Sequence, residues 1–169
     1  MSVGERGLPV HQPLEELQRG APPAKFDLTP HVSVLEHMAS PRAFLRHQLS
    51  MLKSSAQILF EIPNAADPLH SVHDIPAFER FYGSVAHPWY FREPSLHLLL
   101  RQLGEGYEVL RDQRYDLSNH MIRARDRRPV GMWRFTDLGA GVEVSDKKSL
   151  ISSGTCDTLV GIIRKSRSD

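Results

Sequence analysis

Long apolar runs, cysteine pairs and an excess of one charge are all missing from this 169-residue sequence. No apolar run approaches the ~20 residues of a membrane-spanning helix, and residues 1–13 lack the apolar segment of a secretory signal. The single Cys156 excludes an intrachain disulfide and a cysteine-rich zinc site. Because 21 basic residues balance 20 acidic ones, there is no basic field for nucleic acid or an anionic membrane. The sequence therefore predicts a cytoplasmic protein of one domain, with neither nucleic acid nor a membrane as partner.

What is present is an alternation of strand and helix patterns. Helices are predicted where apolar residues recur at the 3.6-residue period behind an N-cap residue or a proline, and strands where short apolar runs end in turn residues. The predicted elements are a strand at Phe26–Val34, a helix beginning at Ser40-Pro41, strands at Ala56–Ile62 and Tyr107–Leu110, a helix at Pro94–Leu103 and a strand at Cys156–Ile163. This alternation predicts the α/β class with a mainly parallel sheet.

Three stretches do not fit this simple pattern. Pro30 is awkward in the first strand, because a central strand would lose a ladder hydrogen bond there. The segment Ala65–Pro94 is rich in His, Pro and aromatic residues and has the length of a lid or binding loop. The segment Ser118–Lys148 is polar and is predicted to be irregular.

Three motifs carry a resemblance to a known family. The runs Phe26–Leu28, Val34–His37 and Ile58–Asn64 form a strand, an acidic loop and a second strand with a helix between them. This block resembles the middle of class I S-adenosylmethionine-dependent methyltransferases, in particular the sugar C-methyltransferase-like branch (methyltransferase domain 23), with the pattern "FD.I..fhvLEH…LkpgG.l.ievPN". Further similar segments are Ile75–Tyr82, His87–Phe91, Arg114–His120 and Gly154–Leu159.

The resemblance implies a Rossmann-like sheet of seven strands in the order 3-2-1-4-5-7-6, of which this chain would hold strands 4-5-7-6. The Gly-rich turn and the ribose-binding acid of the cofactor site are missing, and 25 residues precede the first motif. Only the loop after the fourth strand remains for S-adenosylmethionine, with Val32, Ser33, Val34 and Leu35 as the implied cofactor-binding residues. We therefore expect a truncated or split domain at 26–165, an N-terminal remnant at 1–25 and a tail at 166–169. Such a domain is expected to be inactive alone.

The resemblance also implies an acceptor pocket for a small molecule of the sugar or natural-product type. Its implied lining residues are Glu36, His37, His87 and Tyr90. His87 matches the loop histidine that helps form the active-site base in C-methyltransferase relatives. Those relatives carry Glu just before it, whereas this sequence has Ala86, which argues against a base role.

Three alternatives stay open. The first is a non-catalytic interaction module, since the first strand would lack a neighbour and its edge could pair with another chain, a second copy or the N-terminal segment.

The second is a metal-dependent enzyme, because Glu36, His37 and His87 match three of four metal ligands in RNA 2′-O- and quinone-type methyltransferases. Ser33 replaces the fourth ligand, and mixed His and carboxylate ligation suits Zn²⁺ or Mn²⁺ better than Mg²⁺.

The third alternative is a circular permutation. The run Thr136–Glu143 resembles the missing Gly-rich motif "DlGaGtG" and would place it late in the chain. Glu143 stands where the third glycine should be, and the strand after it ends in Arg164-Lys165 instead of an acid. A lone short glycine pattern is weak evidence.

Overall fold

The computed structural model of this protein describes residues 26–71, 87–126 and 139–167. Several segments named above lie outside these ranges: residues 1–25, Ile75–Tyr82, Ala86 and Thr136–Leu138. The described chain forms one sheet of four strands, β1 (Phe26–Val32), β2 (Leu52–Pro63), β3 (Gly106–Asp112) and β4 (Thr158–Arg164).

The strand order is β1-β2-β4-β3, which corresponds to the expected order 4-5-7-6. β1 pairs with β2 in parallel, while β4 lies between β2 and β3 and is antiparallel to both. Three of the four strands therefore run in one direction, and the last strand of the chain runs against them. The α/β class with a partial methyltransferase-type sheet is confirmed.

Four helices of more than one turn flank this sheet in the described ranges. They are α1 (Pro41–Met51), α2 (Glu93–Arg101), α3 (Leu117–Asp126) and α4 (Ala140–Ser153). A 3₁₀ turn at Leu35–His37 and a single α turn at Pro68–Ser71 follow the ends of β1 and β2. In the part of the chain that is described, none of the helices has the length and apolar content needed to cross a bilayer.

The first two helices begin as their sequences predict. The Ser40 hydroxyl accepts a hydrogen bond from the Ala43 N–H at 3.4 Å, and Pro41 occupies the first helical position. At the start of α2, the Ser95 hydroxyl accepts from the Arg92 N–H at 3.0 Å. These contacts satisfy backbone donors that have no partner inside the helix.

The irregular structure predicted for Ser118–Lys148 is wrong, because α3 and α4 occupy most of the described part of it. These helices lack the apolar stripe on which sequence recognition depends. α4 has no fully buried side chain, and α3 buries mainly polar residues such as Asn119, His120 and Arg123. A polar helix interface gives no 3.6-residue hydrophobic signal.

The hydrophobic core lies on one face of the sheet, under α1 and α2. Alternate residues of β2 point into it, with Ile58, Phe60 and Ile62 all at most 1% exposed. The helices contribute a further set of buried leucines: Leu45, Leu49, Leu96 and Leu100. Burial of such side chains is worth roughly 1.5–3 kcal/mol each and fixes the sheet against the helices.

β1 forms one edge of the described sheet. The Ser33 N–H donates to the Glu61 carbonyl of β2 at 3.0 Å, and backbone groups of alternate residues in a strand point to the same side. The nitrogen of Pro30 therefore faces away from β2, and the proline costs this ladder no hydrogen bond. We call the side of β1 that faces away from β2 the open edge.

Candidate functional site

A pocket of about 260 Å³ lies at one end of the strands of the sheet. The carboxyl ends of β1, β2 and β3 meet there with the amino end of β4, because β4 runs in the opposite direction. In open α/β sheets ligands bind here, in the crevice outside the carboxyl ends of the strands. The lining residues are Ser33, Glu36, His37, Glu61, Pro63, Asp67, His87, Arg114, Tyr115, Asp157 and Thr158.

The turn after β1 places two of the predicted acceptor residues in this pocket. Ser33 adopts φ 51°, a left-handed conformation uncommon outside glycine, and so turns the chain at the strand end. The fully buried Leu35 anchors the 3₁₀ turn in the core. Glu36 and His37 follow at the pocket wall, with Glu36 only 4% exposed.

His87 joins them from a segment far along the chain. The Trp89 indole N–H donates to the Met38 carbonyl at 2.8 Å, which holds this segment against the loop after β1. The rings of His37 and His87 lie 4.4 Å apart between centroids and are inclined at 61°. Glu36, His37 and His87 thus converge, and one ligand atom from each lies within 4.8 Å of the others.

Tyr90, the fourth predicted acceptor residue, lies beside the pocket instead of in it. Its ring is 6.4 Å from the ring of His87 and faces a neighbouring apolar groove that Trp89 also lines. Desolvation raises the pKa of the Tyr90 hydroxyl, which keeps the phenol protonated. Such a group can donate a hydrogen bond to a ligand at the rim but is a poor proton acceptor.

The four predicted cofactor-binding residues are dispersed. Ser33 alone among them lines the pocket. Val34 is partly buried, Leu35 points into the core, and the Val32 side chain is 54% exposed on the sheet face away from α1 and α2. Contacts from this segment to a ligand would therefore come mainly from Ser33 and from backbone groups.

Sequence reasoning missed the wall of the pocket opposite the histidines. Arg114 follows β3 and forms an ion pair with Glu61 near the end of β2. Asp157 precedes β4, and its carboxylate accepts hydrogen bonds from the Arg114 and Tyr115 N–H groups, both at 2.9 Å. One residue in the sequence could have indicated this wall of the pocket: Glu61 is a charged residue near the end of an otherwise apolar strand.

The pocket is acidic. Four carboxylates line it (Glu36, Glu61, Asp67 and Asp157), and Arg114 is the one guanidinium among the lining residues. Arg114 neutralises Glu61, and backbone N–H groups hold Asp157 and Asp67. The remaining field favours a positively charged group in the cavity.

The structure also bears on the Gly-rich segment after residue 136. Gly139, with φ 80°, precedes the first turn of α4. The strand that follows α4 is β4, which is antiparallel to both neighbours and occupies the place of strand 7. A permuted cofactor site would need a parallel second strand at this point, so the topology opposes that alternative.

Comparisons with known proteins agree with this architecture. No curated protein sequence matches the chain. Among solved structures, a SAM-dependent methyltransferase from Archaeoglobus fulgidus matches with a TM-score of 0.50 and 17% identity over 89% of this chain and 64% of that one. A SAM-dependent methyltransferase from Thermotoga maritima matches with a TM-score of 0.50 and 15% identity over 83% of this chain and 56% of that one.

These identities support the fold alone, and the chain spans less than two thirds of the length of either structure. A family model described as "Methyltransferase domain" matches residues 6–110, which is more than half of the chain. The match includes most of the segment before β1 as well as β1, α1, β2, α2 and most of β3. The chain therefore belongs to the methyltransferase domain family.

Proposed function

We propose that this chain supplies the acceptor side of an S-adenosylmethionine-dependent methyltransferase site that acts on a small molecule. The observation that carries the proposal is the convergence of Glu36, His37 and His87 in a pocket at the carboxyl edge of the sheet. A cavity of about 260 Å³ suits a small acceptor. The sugar or natural-product class of acceptor comes from the family resemblance.

The chemistry asks little of the protein beyond position and proton transfer. Methyl transfer from a sulfonium is an in-line displacement, and an oxygen, nitrogen or carbon acceptor must lose a proton. An imidazole can accept that proton near neutral pH. His87 lines the cavity and is the candidate for this role, while the ring of His37 lies beside it with Glu36 at 4.0 Å.

The cofactor fits the described pocket only in part. S-adenosylmethionine would supply an electrophilic methyl group on a positive sulfur, and the acidic lining suits that charge. The loop at Val32–Leu35 would contribute Ser33 and backbone contacts. We propose that the remaining contacts come from polypeptide that pairs with the open edge of β1, as strand 1 does in the seven-stranded order.

A second candidate is a non-catalytic interaction module that uses the same edge. β1 has no neighbour on that side among the described residues. Unpaired N–H and C=O groups at a sheet edge can template another strand. Pro30 removes one donor from that row, which would limit pairing to the flanking residues.

Calorimetric titration of S-adenosylmethionine into the purified 169-residue chain, with S-adenosylhomocysteine as the comparison ligand, tests the cofactor part. Saturable binding supports a methyltransferase site in this chain. Transfer of a labelled methyl group should then fall by 10²–10⁴-fold in His87→Ala, the usual contribution of a general base. His97→Ala, on α2 outside the pocket, is the matched control.

Absence of binding to a folded chain would direct the test to the open edge. The chain would then be mixed with a peptide or protein that supplies the Gly-rich cofactor half, and S-adenosylmethionine binding would be measured again. Binding that appears only in the mixture supports a split enzyme. A folded chain that pairs with another polypeptide and still ignores the cofactor supports the interaction module.

A further inference from the structure

We propose that the apolar groove beside the pocket is a second binding site, and that it takes a small aromatic carboxylic acid. The groove has a volume of about 490 Å³ and lies between the amino end of α1 and one side of α2. Ligand sites in proteins span roughly 300–1,000 Å³ and combine an apolar lining with a few polar groups that orient the ligand. The groove has this composition, and six of the described residues that line it are apolar or aromatic: Pro41, Trp89, Tyr90, Phe91, Leu98 and Leu99.

The groove exposes large side chains that folded proteins usually cover. Trp89 and Tyr90 are 44% and 46% exposed, and Leu98 is 60% exposed. A single exposed apolar residue is ordinary on a protein surface, whereas a contiguous set of them marks a binding surface. Because the set lines a concave space, its occupant is a small molecule that fits inside the groove.

Trp89 gives the groove a fixed aromatic face. Its indole N–H donates to the Met38 carbonyl at 2.8 Å, and its ring lies 6.3 Å from the ring of Phe91 at an angle of 17°. Phe91 is itself buried in the hydrophobic core. A ring held in this way loses little conformational freedom when a ligand binds, and aromatic pairs gain from offset or edge-to-face packing. The groove therefore favours an aromatic ring over a flexible chain of similar size.

The polar end of the groove is positively charged. Arg42 donates to Oε1 of Gln102 at 3.0 Å, and Arg46 donates to the backbone carbonyl of the same residue at 3.2 Å. None of the described residues that line the groove is acidic. A guanidinium has five N–H donors in a fork that matches a carboxylate, so the bond to Gln102 leaves donors for a ligand.

The two neighbouring cavities differ in charge and so select different ligands. The pocket that holds His87 is acidic and repels an anion, whereas the groove attracts one through Arg42. Tyr90 lines the groove, and its ring is 6.4 Å from the ring of His87. An aromatic acid would therefore bind next to the proposed acceptor pocket without entering it, and its binding does not depend on methyl transfer.

Calorimetric titration of 2-naphthoate into the purified 169-residue chain at neutral pH, without S-adenosylmethionine, tests the site. The neutral analogue 2-naphthamide and the anion acetate, which has no ring, are the comparison ligands. We expect one saturable site for 2-naphthoate and no saturable binding of acetate. Binding of 2-naphthamide should be weaker by about 2–5-fold, the usual range for an ion pair at a solvent-accessible position.

Two variants with matched controls locate the bound molecule. Arg42→Gln should remove the preference for 2-naphthoate over 2-naphthamide, and Arg101→Gln, an exposed arginine of α2 outside the groove, should keep it. Leu98→Asp should weaken 2-naphthoate binding by more than about 10-fold, because like charges in contact repel strongly. Leu110→Asp, on β3 outside the groove, should leave the affinity unchanged. Both leucines are exposed in the parent, so both variants should fold.

Absence of saturable 2-naphthoate binding to the folded parent would overturn the proposal. Parent affinity in Leu98→Asp, or an undiminished preference for the acid in Arg42→Gln, would overturn it as well, because the molecule would then bind elsewhere. Sedimentation of the parent as a dimer that Leu98→Asp dissociates would assign the groove to a second copy of the chain instead. Each of these results leaves the methyltransferase proposal standing, because that proposal is tested by cofactor binding and methyl transfer.

Discussion

Gly161 is the position where a single added methyl group should disturb this fold most. In the ladder between β2 and β4 it lies opposite Phe60, and the phenyl ring covers it. A Cβ at residue 161 would lie 2.7 Å from Phe60 Cε2 and nearer still to two other ring atoms. Phe60 has no space to yield, because it is 1% exposed and stacks on His31 at 5.4 Å between ring centroids.

We therefore expect Gly161→Ala to lower the free energy of unfolding by roughly 1–2 kcal/mol. Overpacking costs about 1–3 kcal/mol or more when neighbours cannot move, and the usual gain of about 0.5–1 kcal/mol from replacing a strand glycine offsets part of it. For a domain of this size the loss corresponds to about 2–8 °C in the unfolding temperature. Urea unfolding followed by circular dichroism measures the change.

Two further variants separate overpacking from a general effect of alanine. Gly141 lies in α4 with nothing within 4 Å of an added Cβ, so Gly141→Ala should stabilise by about 0.5–1 kcal/mol. The double variant Phe60→Leu/Gly161→Ala should be more stable than the sum of its single changes, because the smaller side chain makes room. Additive losses, or a Gly161→Ala protein with the parent's unfolding midpoint, would refute the close packing of Phe60 on this strand.

Three other changes test the structure by the same unfolding measurement. Burial lowers the pKa of His31 from 6.5 to about 4; the unfolded chain therefore binds more protons between these values, and stability should fall as the pH drops from 6.5 to 4. After allowance for partial exposure we expect His31 to account for a loss of about 1–2 kcal/mol, so His31→Phe should lose less stability than the parent over this pH range. Asn64→Ala should cost about 2–3 kcal/mol, because its amide donates to the Cys156 carbonyl at 2.8 Å and its oxygen accepts from the Ala66 N–H at 3.1 Å. Ser40→Ala should cost about 1 kcal/mol through the lost N-cap, whereas Ser40→Gly should cost only a few tenths.

Much of the scaffold could be predicted because its signals are local. The N-cap at Ser40 and the leucine period of α2 mark helices by contacts within a few residues. The order of the strands came from the family resemblance, since pattern alone does not say which strands are neighbours. α3 and α4 were missed because they pack through polar groups such as His120 and Arg123, which carry no hydrophobic period.

The pocket residues likewise fall into those that a local sequence pattern predicts and those that it does not. Glu36 and His37 are adjacent in sequence, so one turn after β1 brings both to the pocket. Arg114 and Asp157 were missed because their meeting depends on β4 entering between β2 and β3. The backbone of Arg114 and the carboxylate of Asp157 are 43 residues apart in sequence, and no local pattern joins them.

The placement of β4 has a consequence for how the molecule reaches its native state. β2 and β3 are not hydrogen-bonded to each other, so the sheet stays in two halves until β4 enters the gap between them. Just before β4, the Cys156 carbonyl accepts a hydrogen bond from the side-chain amide of Asn64, 92 residues earlier in the chain. Such distant contacts form late, because closing a long loop costs entropy before the contact stabilises the chain. While β4 is absent, two strand edges inside the future sheet are exposed to other chains. The pocket wall at Asp157 is built in the same event, so a chain that stalls before this insertion lacks the complete pocket and carries two extra edges prone to aggregation.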